Sequence, residues 1–196
     1  LGRGQRRVDA LILTHYDADH TNGAAEALRE LDVETLLLPD LTDETGTRDA
    51  LCAAASAAGT AVRFVTELQT LSFDGGRLQI FPAEPDPTDR NSGICVLGSA
   101  GEYDILITGD LNLRGEQAML ARYALPQVEL LAAGHHGAAT STSYALLART
   151  RPETVLVSVG ADNPYGHPSP DTLERIQSVG AQLLRTDQLG TITIRR

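Results

Sequence analysis

The apolar residues of this chain alternate between two patterns from one end to the other. Short runs of Val, Leu and Ile recur at 8–14, 33–38, 61–65 and 154–159, the length of buried strands. Between them the apolar positions open to helical spacing. Residues 21–31 carry Ala24, Ala27, Leu28 and Leu31 on one face, and 43–58 combines an acidic start, an Ala-rich body and a Gly59 stop. Residues 68–73 and 77–81 read as strands around a hairpin turn at Asp74-Gly75-Gly76, and 82–93 as a proline-rich loop. Further on, the pattern predicts strands at 94–97 and 103–108 about a turn at 100–102, a helix at 112–123 and a strand at 128–133. A helix at 143–149, the strand at 154–159 and a helix at 169–179 closed by Gly180 follow, with two last strands at 182–185 and 191–195. This is mixed α/β without repeats, and 1–196 reads as one domain.

Composition narrows the classes. Hydrophobic residues make up 42% of the 196, but aromatics only 4% with no Trp, so the core must be built from Leu, Val, Ile and Ala. The apolar runs are far short of the roughly 20 residues of a membrane span, and the first residues lack the apolar stretch of a signal peptide. The formal net charge is −10, and all 16 basic residues are Arg. A protein that grips nucleic acid through a broad basic footprint is thereby excluded. An anionic substrate would have to be held locally, by metal ions or a few Arg. Cys52 and Cys95 lie in apolar contexts and are expected to be buried free thiols.

The densest chemistry is Thr14-His15-Tyr16-Asp17-Ala18-Asp19-His20-Thr21-Asn22-Gly23, where a predicted strand gives way to a helix. Four potential metal ligands fall between positions 15 and 20. His15 and Asp17 are two apart, so an extended backbone points them the same way, while Asp19 and His20 can face a second centre. Such N/O donors suit Zn, Mn or Fe.

This string resembles the first ligand motif of the metallo-β-lactamase superfamily, His-x-(His/Asp)-x-Asp-His. The resemblance continues in order, with Leu106-Ile107-Thr108-Gly109-Asp110 ending a strand and Gly134-His135-His136-Gly137 following another. It implies an αββα sandwich with two divalent ions, Mn or Zn, held by His15, Asp17, Asp19, His20, Asp110 and one of the His pair, His136 in preference to His135, with Asp110 between the metals. No His lies between His20 and His135, so the middle His ligand of lactamases and glyoxalases is missing.

The C-terminal half is similar to a narrower family. His135-His136-Gly137-x-x-x-Ser141, the run from Ser158-Val159-Gly160 through Asn163 to Tyr165-Gly166-His167-Pro168, and Arg185-Thr186-Asp187-x-x-Gly190 resemble the β-lactamase-like domain of ComEC-family DNA-uptake proteins. Asp17 in place of a second His suits that family, and Asn91-Ser92-Gly93-Ile94-Cys95-Val96-Leu97 matches its Asn-Asn-x-Ser-Leu-Val-Leu segment loosely. Family domains begin with strands that this sequence does not contain, so the expected sandwich lacks its first N-terminal strands.

The resemblance implies a metal-dependent nuclease on single-stranded DNA, degrading the strand not imported. It would be part of a larger membrane protein with a channel, on the extracytoplasmic side of the cell membrane. In that mechanism Asp110 positions both ions, Asp19 is ligand and proton acceptor, and His135 contacts phosphate or protonates the leaving oxygen. His167, Asn163 and Arg185 are candidate substrate contacts, although His167 also fits a structural turn and Arg185 an ion pair with Asp187. Tyr165 could stack on a base or simply pack, and Ser141 and Thr142 are expected to cap the next helix. Two other readings stay open: hydrolysis of another ester or small phosphodiester, and a silent binding module.

Overall fold

Strand β2 (Asp32–Pro39) shows how the layers form. Leu36 and Leu38 point to one side and Leu37 to the other, as strand alternation requires, and all three are 2% exposed or less. A strand buried on both faces needs a layer on each side. The computed structural model describes residues 4, 6–83 and 92–194, and those layers are a helical layer and a second sheet.

The first sheet is β1 (Arg7–Ile12), β2 and β3 (Ala61–Val65), all parallel in that order. Its crossovers carry α1 (Ala18–Thr21) and α2 (Ala24–Glu30), then α3 (Thr47–Ala58). Ala24, Leu28, Leu51 and Ala55 from the helices meet Val33, Leu36 and Leu38 in one core.

Among the described residues the second sheet has seven strands. β4 (Gln69–Phe73), β5 (Gly76–Phe81), β6 (Cys95–Ala100) and β7 (Tyr103–Ile107) form an antiparallel meander. β8 (Leu130–Ala132), β9 (Thr154–Val157) and β10 (Gln182–Arg185) continue from β7 in parallel, each reached through a helix: α4 (Leu113–Arg122), α5 (Tyr144–Thr150) and α6 (Pro170–Ser178). Met119, Leu146, Leu147 and Ile176 of these helices pack on Leu97, Leu106, Leu131, Val155 and Val157. Between the sheets, Leu37 and Val65 meet Ile80, Ile94 and Val96. The order helix, sheet, sheet, helix is the expected αββα sandwich.

The differences from the sequence reading have local causes. The helix expected at 21–31 is two, because the metal-motif residues start a short helix at Ala18 and the chain restarts at Gly23. The helix expected from Asp43 begins at Thr47. Asp43 instead folds a turn ahead of it, accepting from the Thr45 and Arg48 amides. The last expected strand does not form over 191–194. The unforeseen α7 (Thr186–Leu189) and Gly190 redirect the chain, leaving Ile194 41% exposed. The loop expected at 82–93 lies mostly outside the described residues, as do Asn91 and the end of that last strand.

Both cysteines are free; Cys95 is buried, but Cys52 only partly. The Cys95 thiol donates to the Thr108 carbonyl, and burial pushes its pKa up to about 12. An alkylating reagent is therefore expected to label Cys52 in the native chain and Cys95 only after unfolding, read by peptide mass spectrometry. Equal labelling in the native state would contradict this packing.

Candidate metal centre

Beyond β1, the chain stays extended against β2, with the Leu13 amide donating to the Leu37 carbonyl. His15 is thereby buried at 1% exposure. Asp17 stands at the N-cap of α1 yet makes no side-chain cap hydrogen bond. Its Oδ2 lies 3.9 Å from His15 Nε2, on the shared side that two-residue spacing gives an extended strand. The single turn of α1 then brings Asp19 and His20 round.

Two other strand ends meet this segment. β7 runs out through Thr108 and Gly109 to Asp110, which is only 4% exposed. β8 runs into a short 3-10 turn, Gly134–Gly137, whose two histidines are left-handed, at φ 48° for His135 and 53° for His136. Non-glycine residues adopt that backbone only when their surroundings impose it, and such strain gathers at functional sites. Gly137 is left-handed too, and here glycine is obligatory. A Cβ would come within 2.6 Å of Pro168 Cβ.

All five histidines of the chain gather here. Asp110 Oδ1 lies 3.2 Å from His20 Nε2, and its Oδ2 lies 3.7 Å from His15 Nε2 and 3.5 Å from His135 Nε2. On the outer side Asp19 Oδ2 lies 3.1 Å from His136 Nε2 and 3.6 Å from His20 Nε2. Two adjoining groups result, His15–His20–Asp110 and Asp19–His20–His136, each with its donor atoms within 4.8 Å of one another.

The rings are anchored from behind. His136 Nδ1 is 2.8 Å from the Ser158 carbonyl, a contact that only an Nδ1–H can make, and this turns its Nε2 toward Asp19 Oδ2 at 3.1 Å. His15 and His20 Nδ1 lie 3.0 and 3.4 Å from the Thr14 hydroxyl, whose oxygen can accept from both. With Nδ1 so occupied, the Nε2 atoms of His15 and His20 are buried without a directed hydrogen bond. Buried polar atoms normally find partners. Unsatisfied imidazole nitrogens beside carboxylate oxygens, each ring oriented by an outer oxygen, are donors that could hold a divalent cation.

The electrostatics of the two rings differ. Burial lowers the His15 pKa, helped by His20, which favours the neutral ring that a metal ligand needs. The Asp110 carboxylate beside His20 raises that ring's pKa against burial, so a cation there would have to displace a proton. Burial works against the ionised form of Asp110, but His20, His15 and His135 outweigh it and hold its pKa below the usual carboxylate range.

The candidate substrate residues divide. The His167 ring lies 5.6 Å from that of His135, edge to face, and burial together with His135 and His136 lowers its pKa. Asn163 spends its side chain on its own loop, accepting from the His167 amide and donating to the Gly160 and His167 carbonyls. Arg185 is closed on Asp187 by two contacts, of 3.0 and 2.6 Å. The helix cap expected at Ser141 and Thr142 belongs instead to Ser143, whose hydroxyl accepts from the Leu146 amide. Thr142 is occupied elsewhere, its hydroxyl accepting from the Gly134 amide at the start of the histidine turn.

Sequence reasoning missed the device that holds that turn. Glu116, fully buried on α4, accepts from the Thr142 and Ser143 amides at 2.5 and 2.7 Å. Arg175 of α6 donates to the carbonyls of Thr142, Ala139 and Ser141. One carboxylate and one guanidinium thus clamp residues 139–143. The available signal was Glu116 three residues before Met119, a charge on an apolar helix face.

The chain belongs to the metallo-β-lactamase superfamily, whose family model matches residues 1–160. Within it, the chain is 32% identical over 195 residues to ComE operon protein 3 of Bacillus subtilis and 32% identical over 192 residues to the competence protein ComA of Neisseria gonorrhoeae. Those alignments cover 98% and 96% of this chain but 25% of each relative, so it spans about a quarter of their length. Among solved structures it resembles CmlA, a diiron β-hydroxylase from Streptomyces venezuelae, with a TM-score of 0.63 at 18% identity over 92% of this chain and 44% of CmlA. Among the described residues no helix is long and apolar enough to cross a membrane.

Replacing Thr14 by Val removes the oxygen behind two rings while keeping the side-chain shape. It is expected to weaken Mn²⁺ or Zn²⁺ binding about 10- to 100-fold, measured by isothermal titration. Unchanged affinity would show that the Thr14 hydroxyl orients nothing. Glu116→Ala strips one buried and one partly buried amide of their acceptor and is expected to cost about 2–4 kcal/mol of stability, read by urea denaturation.

Proposed function

We propose that this chain is the hydrolase portion of a DNA-uptake protein and cleaves DNA phosphodiesters with two divalent ions, Mn²⁺ or Zn²⁺, degrading the strand not imported. The observation that carries this reading is the pair of adjoining ligand groups built from three strand ends. Its similarity to a competence protein supports DNA as the substrate. By the same similarity, the domain works beside the membrane channel of its parent protein, on the extracytoplasmic side.

His15 and Asp110, with Asp17 joining from beside His15, would hold one ion, and Asp19, His20 and His136 the other, with Asp110 lying beside both. When bound, such a pair supplies Lewis acidity toward water and neutralises charge on the phosphate. The chain's own residues do the rest. The Asp19 carboxylate, exposed at the mouth, takes a proton from the attacking water. His135, about a quarter exposed with its Nε2 beside Asp110, gives a proton to the leaving oxygen. His167 stands behind His135 toward the substrate, and Asn163 serves by shaping the loop that carries it. Arg185, committed to Asp187, is left out of this assignment.

Asp110→Ala is expected to reduce Mn²⁺-dependent cleavage of a single-stranded oligonucleotide to background, with the circular dichroism of the fold retained. Cleavage that survives this substitution, or an excess of chelator, overturns the mechanism. With a net charge of −10, DNA affinity should depend on the ions rather than on a basic surface. Binding measured against salt is expected to be very weak without metal and, with metal, to show a slope much shallower than the roughly −0.7 per phosphate of a protein that displaces many counterions from single strands.

A further inference from the structure

Tyr165 has 78% of its surface exposed, more than any other large hydrophobic side chain among the described residues. One exposed aromatic carries no meaning alone, but its setting does. Its ring is stacked on that of His167 at 5.9 Å and 22°, and His167 in turn stands 5.6 Å from His135. A ladder of three rings therefore leads from solvent to the carboxylate at the heart of the ligand groups.

The ladder is also held in place. The Asn163 side chain closes the loop across both the amide and the carbonyl of His167. Just beyond, the Ser169 amide donates to the Gly137 carbonyl, and Pro168 fills the space beside Gly137 that a side chain would take. The tyrosine is thus presented on a fixed mount joined to the histidine turn. An acidic chain cannot gather a nucleic-acid strand by charge, whereas stacking needs no charge and accepts any base.

We infer that Tyr165, backed by His167, is a stacking platform for a nucleobase of single-stranded DNA, next to the phosphate that the ligand groups receive. The inference rests on the DNA reading above and adds the subsite that selects a strand with unpaired bases.

The test compares the 196-residue chain with Tyr165→Ala and Tyr165→Phe in the presence of Mn²⁺, by fluorescence anisotropy. One labelled oligonucleotide carries bases; a second of equal length has a bare sugar-phosphate backbone. Tyr165→Ala is expected to lose about 5- to 150-fold in affinity for the base-bearing strand, to bind the bare backbone as the parent chain does, and to titrate Mn²⁺ normally. Tyr165→Phe should keep the parent's affinity. If Tyr165→Ala binds the base-bearing strand as tightly as the parent, or loses equally on both strands, the platform is refuted while the DNA reading stands. If the parent chain with Mn²⁺ binds neither strand, the DNA reading fails and the platform with it.

Discussion

A carboxylate almost out of contact with water is the constraint around which this structure is arranged. Asp110 is 4% exposed, and an ionised acid is tolerated there only with compensating partners on several sides. It draws them from separate stretches of chain: His15 and His20 beyond β1 of the small sheet, and His135 beyond β8 of the large one. Those residues can reach one carboxylate only if both sheets end at the same rim. The apolar layer of Leu37, Val65, Ile80, Ile94 and Val96 fixes the sheets against each other, and the clamp of Glu116 and Arg175 fixes the second histidine turn.

Much of this was legible in the sequence because period and spacing are local signals. The apolar run at 33–38 read as a buried strand before any sheet was known, and the two-residue step from His15 to Asp17 put both on one side of an extended segment. What stayed illegible depended on partners distant in sequence. Ser141 and Thr142 looked like caps because their residue types are good caps. Only the fold shows that Thr142 is claimed by Gly134, 8 residues earlier, leaving the cap to Ser143. The tail from Thr191 had the alternation of a strand, but the turn through α7 takes it away from the sheet. Arg185 and Asp187, two residues apart, satisfied each other, and sequence alone could not say whether that pair or a ligand would win.

The charge balance makes sense in the same terms. A chain with a net charge of −10 places acidic and imidazole groups together where cations could be held, so any attraction for an anionic substrate would reside in exchangeable ions rather than in covalently fixed charge. On the proposed reading, such a chain would hold a polyanion only where and when its cleft is loaded.

The left-handed backbone at His135 and His136 has an evolutionary corollary. At these two adjoining positions the main chain accepts Gly, Asn, Asp or His and penalises β-branched side chains. Few residue types satisfy that backbone, and of those only His brings an imidazole to the rim. Backbone and ring therefore restrict the same two codons together, and a change from His to Asn or Gly would remove the ring at little cost to the turn.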